Sequence, residues 1–373
     1  MRLAEGGRLA LPHRPFARFP RWAAALVLAL LAAAMIWSAA ANLPADDSLA
    51  AEAATKPVAA PARPAPGKGD MALYARIHTR MAAGEGYYAA ALAEQRARGY
   101  PTWPFVAVRL PTLAWAQAML GADGVRWLAL ALAGGGIAAL WLRAEPLAPR
   151  GEGIIASALL AAGGGAALVP VAGYDHDFIA GMLLTLALLA YRPDRWGGAL
   201  LAAAAALAVR ELAAPFVLLW LAFALGERRW REAAAVAAVL ALFALGLVFH
   251  AAAVDAARLP GDLASQGWSA RGGYGLPLAG LGQLTGLRHL PPALAAPLAI
   301  LPLVGWAGLG GRTGLFACLW FAGLATMMAL FARPANYYWA ELALPAYIAG
   351  LAFAPCALVE LWRTATGRST NPT

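Results

Sequence analysis

Charged residues are scarce in this chain of 373 residues. Asp, Glu, Lys and Arg together make up 13% of the sequence, whereas hydrophobic residues make up 61%. Soluble domains carry charge at about 25% of their positions, so the composition excludes an ordinary soluble protein. Polar sequence long enough for a large soluble domain is also missing. We therefore expect an all-α polytopic membrane protein in contact with the lipid bilayer.

Cysteine is almost absent as well. Cys318 and Cys356 are the only two, and both lie in apolar segments. This excludes a disulfide framework and a cysteine-based metal site. The net charge of +9 is not accompanied by a basic run interleaved with aromatic residues, so nucleic-acid binding is not expected. No internal repeat is visible.

About ten apolar segments are long enough to be predicted as transmembrane helices. The first follows five arginines and ends before a linker rich in Ala and Pro. The predicted spans are 22–41, 125–142, 153–170, 178–191, 196–209, 213–225, 233–250, 292–308, 314–331 and 338–358. Residues 22–358 then form a single transmembrane domain, between cytoplasmic tails at 1–21 and 359–373.

The arginines predict the orientation of these spans. Every even-numbered connection is short and carries at least one arginine, and so does the C-terminal tail. By the positive-inside rule both termini are predicted to be cytoplasmic. The long connections 42–124 and 251–291 are then extracytoplasmic. An alternative for the first segment is a cleaved signal peptide, since Ser-Ala-Ala-Ala at 38–41 resembles a cleavage site.

The first extracytoplasmic connection, 42–124, is expected to contain juxtamembrane helices. Glycines flank a predicted helix at 70–83, and a second amphipathic stretch covers 87–98. Segment 104–121 is apolar but contains Arg109. It is therefore predicted to lie along the membrane surface rather than to cross the membrane.

Polar side chains gather in the extracytoplasmic connections, and a membrane protein usually has a site where such costly groups collect. The carboxylates that suit general acid–base catalysis are Asp70, Glu85 and Asp175. The groups that suit binding of phosphate or sugar hydroxyls are Tyr74, Tyr88, Arg109, His176, Arg210, Glu211, His250, Arg333, Asn336 and Tyr337. We place the candidate site at this face.

Two of these groups have structural alternatives. Arg210 and Glu211 either form a hairpin tip whose charges reach water or neutralise each other, or Arg210 binds an anion while Glu211 orients it. The carboxylates of 174–177 either belong to a polar loop in which Asp177 caps the next helix, or hold a hard divalent cation with Asp70. No cofactor is assigned, and a Mg or Mn ion is left open.

Other candidates have simpler explanations too. Asp70 can serve as a helix cap, and His250 as an interfacial histidine with a hydrogen-bond partner. The aromatic residues after Arg333 fit an aromatic belt at the membrane interface. A belt does not account for Arg333 or Asn336, which suit phosphate or hydroxyl contacts.

The motifs of the first connection resemble those of the GT-C superfamily of membrane glycosyltransferases, which includes protein O-mannosyltransferases and the lipid A aminoarabinose transferase. The resemblance is carried by Asp-Met-Ala-Leu-Tyr at 70–74, Ala-Gly-Glu-Gly-Tyr-Tyr at 83–88 and Phe-Val-Ala-Val-Arg-Leu-Pro at 105–111. Val-Arg-Glu at 209–211 is similar to the family's Thr-Arg-Pro or Thr-Arg-Glu element.

The chain departs from the family pattern in three ways. Arg-Leu-Pro replaces the commoner Arg-Pro-Pro, and the chain is short, without a soluble C-terminal domain. Asp70 stands alone where the family has a pair of acids. Asp46 and Asp47 form such a pair earlier, in the linker, and are the alternative to Asp70 as the catalytic acid.

The resemblance implies transfer of a sugar from a polyprenyl-phosphate donor to an extracytoplasmic lipid or glycan acceptor. Asp70 would be the general base, and arginines would hold the donor phosphate. Two alternatives remain: a transporter or flippase for a lipid-linked sugar, and a non-catalytic partner protein. A transporter would be expected to show repeat symmetry and polar groups near the bilayer midplane, which the sequence does not show.

Single cysteine probes test the predicted topology. Cysteines at Ser48, Ser265 and Ala335 should react with an impermeant reagent outside the cell, whereas cysteines at Ala148 and Ser369 should not. Labelling of position 148 from outside would overturn both the threading and the face assigned to the site.

Overall fold

The computed structural model describes residues 3–4, 8–9, 12–42, 69–142 and 147–368. Regular structure in these residues is helical, apart from an antiparallel pair of two-residue strands, β1 (Leu3–Ala4) and β2 (Arg8–Leu9). Asp46 and Asp47, with the probe positions Ser48 and Ser369, lie outside the described residues. The all-α fold class predicted from composition is thus confirmed.

Fifteen α-helices occur in the described residues. They are α1 (Arg21–Ala40), α2 (Asp70–Ala82), α3 (Tyr87–Ala97), α4 (Thr112–Trp141), α5 (Arg150–Gly164), α6 (His176–Ala190), α7 (Gly197–Val209), α8 (Ala214–Gly226), α9 (Trp230–Ala256), α10 (Gly275–Leu284), α11 (Pro292–Leu298), α12 (Leu301–Leu309), α13 (Gly311–Phe331), α14 (Ala346–Ala349) and α15 (Ala354–Thr366). Short 3-10 helices lie at Pro15–Arg18, Phe105–Ala107, Gly165–Leu168, Pro170–Tyr174, Glu211–Ala213, Gly286–His289, Pro334–Ala343 and Gly350–Ala352.

Six helical segments of the described chain are long and apolar enough to cross a membrane. They are Arg21–Ala40, Phe105–Trp141, Arg150–Leu168, Trp230–Ala256, Pro292–Leu309 and Gly311–Phe331. A pair bent by 52°, Ala346–Ala352 and Ala354–Thr366, makes a seventh if it is counted as one span. The chain is thus a membrane protein by the length and composition of its helices.

The expected count of about ten spans is not confirmed. Three of the expected spans correspond to apolar helices of 10–17 residues, His176–Ala190, Gly197–Val209 and Glu211–Gly226. At 1.5 Å per residue, a helix of about 15 residues covers roughly 22 Å, whereas the hydrocarbon core is about 30 Å thick. Apolar composition alone did not distinguish these short helices from full spans.

The juxtamembrane helices of the first connection form where the sequence predicts them. The bounds of α2 and α3 agree with the predictions to within one residue, and Gly84, with φ of +93°, separates the two helices. Helix α4 is broken at Gly121, whose φ of 72° and ψ of 164° are not helical. The break divides the part that was expected along the membrane surface from the part expected to span it.

The chain divides into two compact units, each with its own packing. The first consists of Met1–Pro61, Ile137–Gly163 and Trp268–Thr373, and the second of Ala62–Gly136 and Gly164–Gly267. In the first unit, small residues let helices pack at close range. A Cβ atom on Gly305 would lie 1.9 Å from the carbonyl oxygen of Gly350.

In the second unit, α6 and α7 form a closely packed antiparallel hairpin. Ten of the 12 residues from Phe178 to Leu189 in α6 are buried, as a helix that is apolar on all sides should be. Because the two helices run in opposite directions, the first turn of α6 and the last turn of α7 lie at the same end of the hairpin. Asp177 and Arg210 come from those two turns.

Candidate functional site

A buried ion pair joins the adjacent ends of α6 and α7. The Nε atom of Arg210 donates a hydrogen bond to Oδ1 of Asp177 at 2.8 Å, and only 1% of the arginine side chain is exposed. The Nη1 atom of Arg210 donates to Oε1 of Glu211. The pairing of Arg210 with Glu211 agrees with one of the sequence-based alternatives, whereas Asp177 was not expected as its partner.

Arg109 brings a second cation to the same two carboxylates. Its Nη2 atom lies 3.9 Å from Oδ2 of Asp177, and its Nη1 atom lies 3.9 Å from Oε1 of Glu211. Two arginines and two carboxylates thus form a charge cluster of Arg109, Asp177, Arg210 and Glu211, with a formal charge of zero. The contacts of Arg109 are longer than those of Arg210, and 15% of its side chain is exposed.

Two tyrosines from the juxtamembrane helices hold Arg109 in place. The Nε atom of Arg109 donates to the Tyr74 hydroxyl at 2.9 Å. The Tyr87 hydroxyl in turn donates to the backbone carbonyl of Arg109 at 2.5 Å. Both the side chain and the backbone of this arginine are therefore fixed by α2 and α3. Tyr74 was a sequence candidate, and Tyr87 was missed.

His250, on α9, fixes the residue before Arg109. Its Nε2 atom lies 3.1 Å from the carbonyl oxygen of Val108, and its Nδ1 atom lies 3.1 Å from the Tyr88 hydroxyl. A carbonyl can only accept, so Nε2 carries the proton and Nδ1 accepts from Tyr88. Burial raises the pKa of the Tyr88 hydroxyl, which keeps this donor protonated. His250 is a histidine with partners on both nitrogens.

Asp175, rather than Asp177, caps α6. The carboxylate of Asp175 accepts a hydrogen bond from the backbone N–H of Phe178 at 3.0 Å, which makes Asp175 the N-cap of α6. The alternative in which Asp177 caps this helix is therefore wrong. His176 is buried, its Nδ1 atom lies 3.2 Å from the Tyr174 carbonyl oxygen, and its ring centroid lies 4.5 Å from that of Tyr74.

Asp70 begins the helix that carries Tyr74. Its side chain is partly exposed and makes no hydrogen bond or ion pair with the described residues. Residues four apart on a helix lie on one face, about 5–6 Å between Cβ atoms, so Asp70 and Tyr74 are neighbours. His78 continues this face, with its ring centroid 6.1 Å from that of Tyr174. A carboxylate without a partner thus lies one turn from the tyrosine that binds Arg109.

Glu85 forms an exposed ion pair with Arg80. The Nη2 atom of Arg80 donates to Oε1 of Glu85 at 2.6 Å, and 41% of the Glu85 side chain is exposed. This hydrogen bond lowers the pKa of the Glu85 carboxyl. A carboxylate with a lowered pKa is a weaker base, so its surroundings favour a structural role between α2 and α3.

A second ion pair anchors the connection that follows α9. The guanidinium of Arg96 donates from Nε to Oδ1 of Asp262 at 2.6 Å and from Nη2 to Oδ2 at 2.9 Å. Arg96 holds the pKa of this buried carboxyl well below its usual range. The backbone N–H of Ser265 also donates to the carbonyl of Trp103 at 2.6 Å. The connection is thus attached to α3 and to the segment before α4.

The candidates of the last connection that the sequence predicts to be extracytoplasmic belong to the first unit. The Oδ1 atom of Asn336 accepts from the backbone N–H of Arg333 at 3.1 Å, and its Nδ2 atom donates to the Tyr338 hydroxyl at 3.3 Å. The rings of Tyr337 and Tyr338 have centroids 6.1 Å apart. Asn336 therefore has a local role at the start of the 3-10 helix Pro334–Ala343.

The described residues contain no group of three or more His, Cys, Asp and Glu side chains placed to hold a metal ion. The carboxylates of the charge cluster are instead paired with arginines. No protein family model, curated protein or solved structure matches the chain. The GT-C resemblance therefore stays a prediction, and function has to be argued from the geometry of the site.

Removing Arg210 tests whether the cluster is a buried ion network. Arg210→Ala leaves Asp177 and Glu211 without their closest cation, and breaking a buried pair costs about 3–5 kcal/mol. We expect a loss of that size in the free energy of unfolding in detergent, and partial recovery in Arg210→Ala/Asp177→Ala. Arg195→Ala is the control, because 80% of the Arg195 side chain is exposed. Unchanged or higher stability of Arg210→Ala would support the hairpin-tip alternative instead.

Proposed function

We propose that this chain is a membrane glycosyltransferase. It moves a sugar from a polyprenyl-phosphate donor to a lipid or glycan acceptor at the extracytoplasmic face of a bacterial inner membrane. The proposal depends mainly on one observation: the carboxylate of Asp70, which has no partner among the described residues, lies one helical turn from Tyr74, whose hydroxyl accepts a hydrogen bond from Arg109 at 2.9 Å. A base on one face of α2, and a cation hydrogen-bonded to the next residue of that face, are the two groups that this reaction requires.

Asp70 is the general base in this proposal. Its carboxylate accepts the proton of the acceptor hydroxyl while the acceptor oxygen forms a bond to the anomeric carbon of the sugar. The bond between that carbon and the donor phosphate oxygen breaks, and the phosphate leaves with the electron pair. A base available for this role must not already be held by a cation, and Asp70 meets this condition among the described residues.

Arg109 is the better of the two cluster arginines for the phosphate. Both of its guanidinium contacts with carboxylates are 3.9 Å long, and part of its side chain is exposed. A phosphate can therefore reach the guanidinium of Arg109 more readily than that of Arg210, whose side chain is only 1% exposed. Arg210 is buried and already donates to two carboxylates, which favours a positioning role over the phosphate contact expected from the sequence.

The first part of α4 supports access for a lipid substrate. Trp115, Met119 and Leu120 are 53%, 78% and 55% exposed, so a large apolar surface precedes the break at Gly121. Such a surface is stable in contact with lipid and unfavourable in water. A donor with a long isoprenoid chain would reach the Asp70 face from the bilayer rather than from solution.

A lipid-linked sugar transporter is the second candidate, and the short helices favour it. Transporters use discontinuous helices whose ends meet at a polar site, and α6 and α7 are short apolar helices whose ends carry Asp177 and Arg210. Proteoliposomes that hold a radiolabelled polyprenyl-phosphate sugar separate the candidates. Transfer to an acceptor identifies an enzyme, and movement across the bilayer without transfer identifies a flippase. If neither transfer nor movement is observed, the protein is a non-catalytic partner.

Replacing Asp70 tests the proposed base. Asp70→Asn keeps the size of the side chain and removes the proton acceptor. We expect transfer to fall by about 10²–10⁴-fold, the usual contribution of a general base. Donor binding and melting temperature should stay close to those of the wild type. Glu85→Gln is the matched control and should retain most activity, because its carboxylate is paired with Arg80. Near-normal turnover of Asp70→Asn would move the role to Asp46, Asp47 or Asp175.

A further inference from the structure

A separate cavity of about 720 Å³ lies within the first unit. Its walls come from the last turn of α4, the first turn of α5, the end of α12 and the segment before the 3-10 helix Pro15–Arg18. The basic side chains of the wall are His13, Arg14 and Arg150, and none of the described lining residues is acidic, although the carboxylate of Glu152 is bonded to Arg14. The cavity is of the size that small ligands occupy in proteins.

Backbone contacts hold the basic wall of this cavity rigid. The N–H of Arg14 donates to the carbonyl of Leu309 at 3.2 Å, and the N–H of Gly311 donates to the carbonyl of Pro12 at 2.9 Å. The imidazole of His13 packs on Gly311, where a Cβ atom would come within 2.8 Å of the ring. The segment is thus attached to the turn between α12 and α13 and presents its side chains in a fixed geometry.

One nitrogen of the Arg14 guanidinium, Nη1, makes no hydrogen bond with the described residues. Its Nη2 atom contacts both carboxylate oxygens of Glu152, at 2.5 and 2.7 Å, and its Nε atom lies 3.8 Å from Glu360. Its Nη1 atom is buried and has no hydrogen-bond partner among the described residues. Oε2 of Glu360 is also buried without a partner there, so a bridging water is the simplest alternative occupant.

Arg150 adds a cation that is not neutralised by the described residues. It is exposed, it makes no ion pair within the described chain, and it is the first residue of the 15-residue helix α5. The first N–H groups of a helix favour an anion, although Glu152 in the same turn offsets part of this effect. Arg14, whose Nη1 atom is buried, and Arg150, whose side chain is exposed, are therefore the two arginines of the cavity wall.

The apolar part of the wall points to a lipid. Leu140, Trp141 and Leu309 line the cavity beside the basic residues, and 46% of the Trp141 side chain is exposed. Three membrane-length segments begin or end here, since Phe105–Trp141 ends, Arg150–Leu168 begins and Pro292–Leu309 ends. The ends of spans lie at the depth of lipid headgroups, where tryptophan is also enriched. The arginine pattern predicts this side of the membrane to be cytoplasmic.

We propose that this cavity binds the phosphate headgroup of an anionic glycerophospholipid. Arg150 and Nη1 of Arg14 donate to the phosphate oxygens, and the apolar wall contacts the glycerol backbone and the first carbons of the chains. Basic pockets between membrane helices on the cytoplasmic side are suited to such headgroups. The site does not depend on the proposed glycosyl transfer, because it uses residues of the first unit only.

Lipid titration of the full-length protein tests this site. Purified wild type in a mild detergent is titrated with phosphatidylglycerol or with phosphatidylcholine of the same acyl chains, and melting temperature and bound lipid are measured, the latter by native mass spectrometry. Phosphatidylglycerol should bind and raise the melting temperature, and phosphatidylcholine should not. Arg150→Gln should weaken phosphatidylglycerol binding about fivefold, the effect of one arginine near an anionic lipid.

Arg363→Gln is the matched control, since it removes the same charge from an exposed arginine on α15 that does not line the cavity. Its affinity for phosphatidylglycerol should match that of the wild type. Equal effects of phosphatidylglycerol and phosphatidylcholine on the melting temperature would mean that the cavity holds water and would overturn the proposal. Equal losses of phosphatidylglycerol affinity in Arg150→Gln and Arg363→Gln would mean diffuse electrostatic attraction and would overturn it too. Competition by soluble glycerol phosphate at the same concentration as the lipid would also overturn it, in favour of a free phosphate ligand.

Discussion

The ion pair between Arg210 and Asp177 is the interaction on which the second unit depends. Charged groups inside an apolar bundle are expensive unless each one is neutralised and hydrogen-bonded. Here α6 and α7 are short and almost entirely apolar, and the pair joins the two ends that carry charge. Glu211 adds a second carboxylate at the start of the 3-10 helix Glu211–Ala213. Because these charges neutralise one another, the end of the hairpin has a fixed geometry, and Arg109 lies against its two carboxylates.

Arg109 is the residue of the cluster that we propose contacts the donor phosphate. Arg210 is held by short hydrogen bonds to two carboxylates, whereas Arg109 approaches the same carboxylates only to 3.9 Å. Its position is fixed instead by Tyr74, Tyr87 and the contact of His250 with Val108. A cation whose backbone and Nε are both held by hydrogen bonds has a fixed position, and such preorganisation suits the binding of an anion.

The sequence predicted the local structure well where glycine and proline mark boundaries. Helices α2 and α3 and the break at Gly121 follow from such residues, and the pairing of Arg210 with Glu211 follows from their adjacency. The number of spans could not be predicted in the same way. A short apolar helix has the same sequence pattern whether lipid or protein surrounds it, and α6 is surrounded by protein.

The roles of the two aspartates at the start of α6 also could not be predicted from the sequence. Asp175 and Asp177 are both able to cap the helix, and the choice depends on where the chain bends, which is set by tertiary contacts. Asp177 is turned inward by Arg210, 33 residues later, and no local signal reports that partner. Tyr87 was missed because its role is a single hydrogen bond to the backbone of Arg109.

In the proposed enzyme, the cluster presents Arg109 to the phosphate of a polyprenyl-phosphate donor. The most direct test is the dissociation constant of a polyprenyl phosphate for the wild type and for Arg109→Gln, measured in detergent on protein of unchanged melting temperature. Loss of one charge-assisted contact should raise the constant about tenfold or more. The same dissociation constant in both proteins would mean that Arg109 does not bind the donor phosphate.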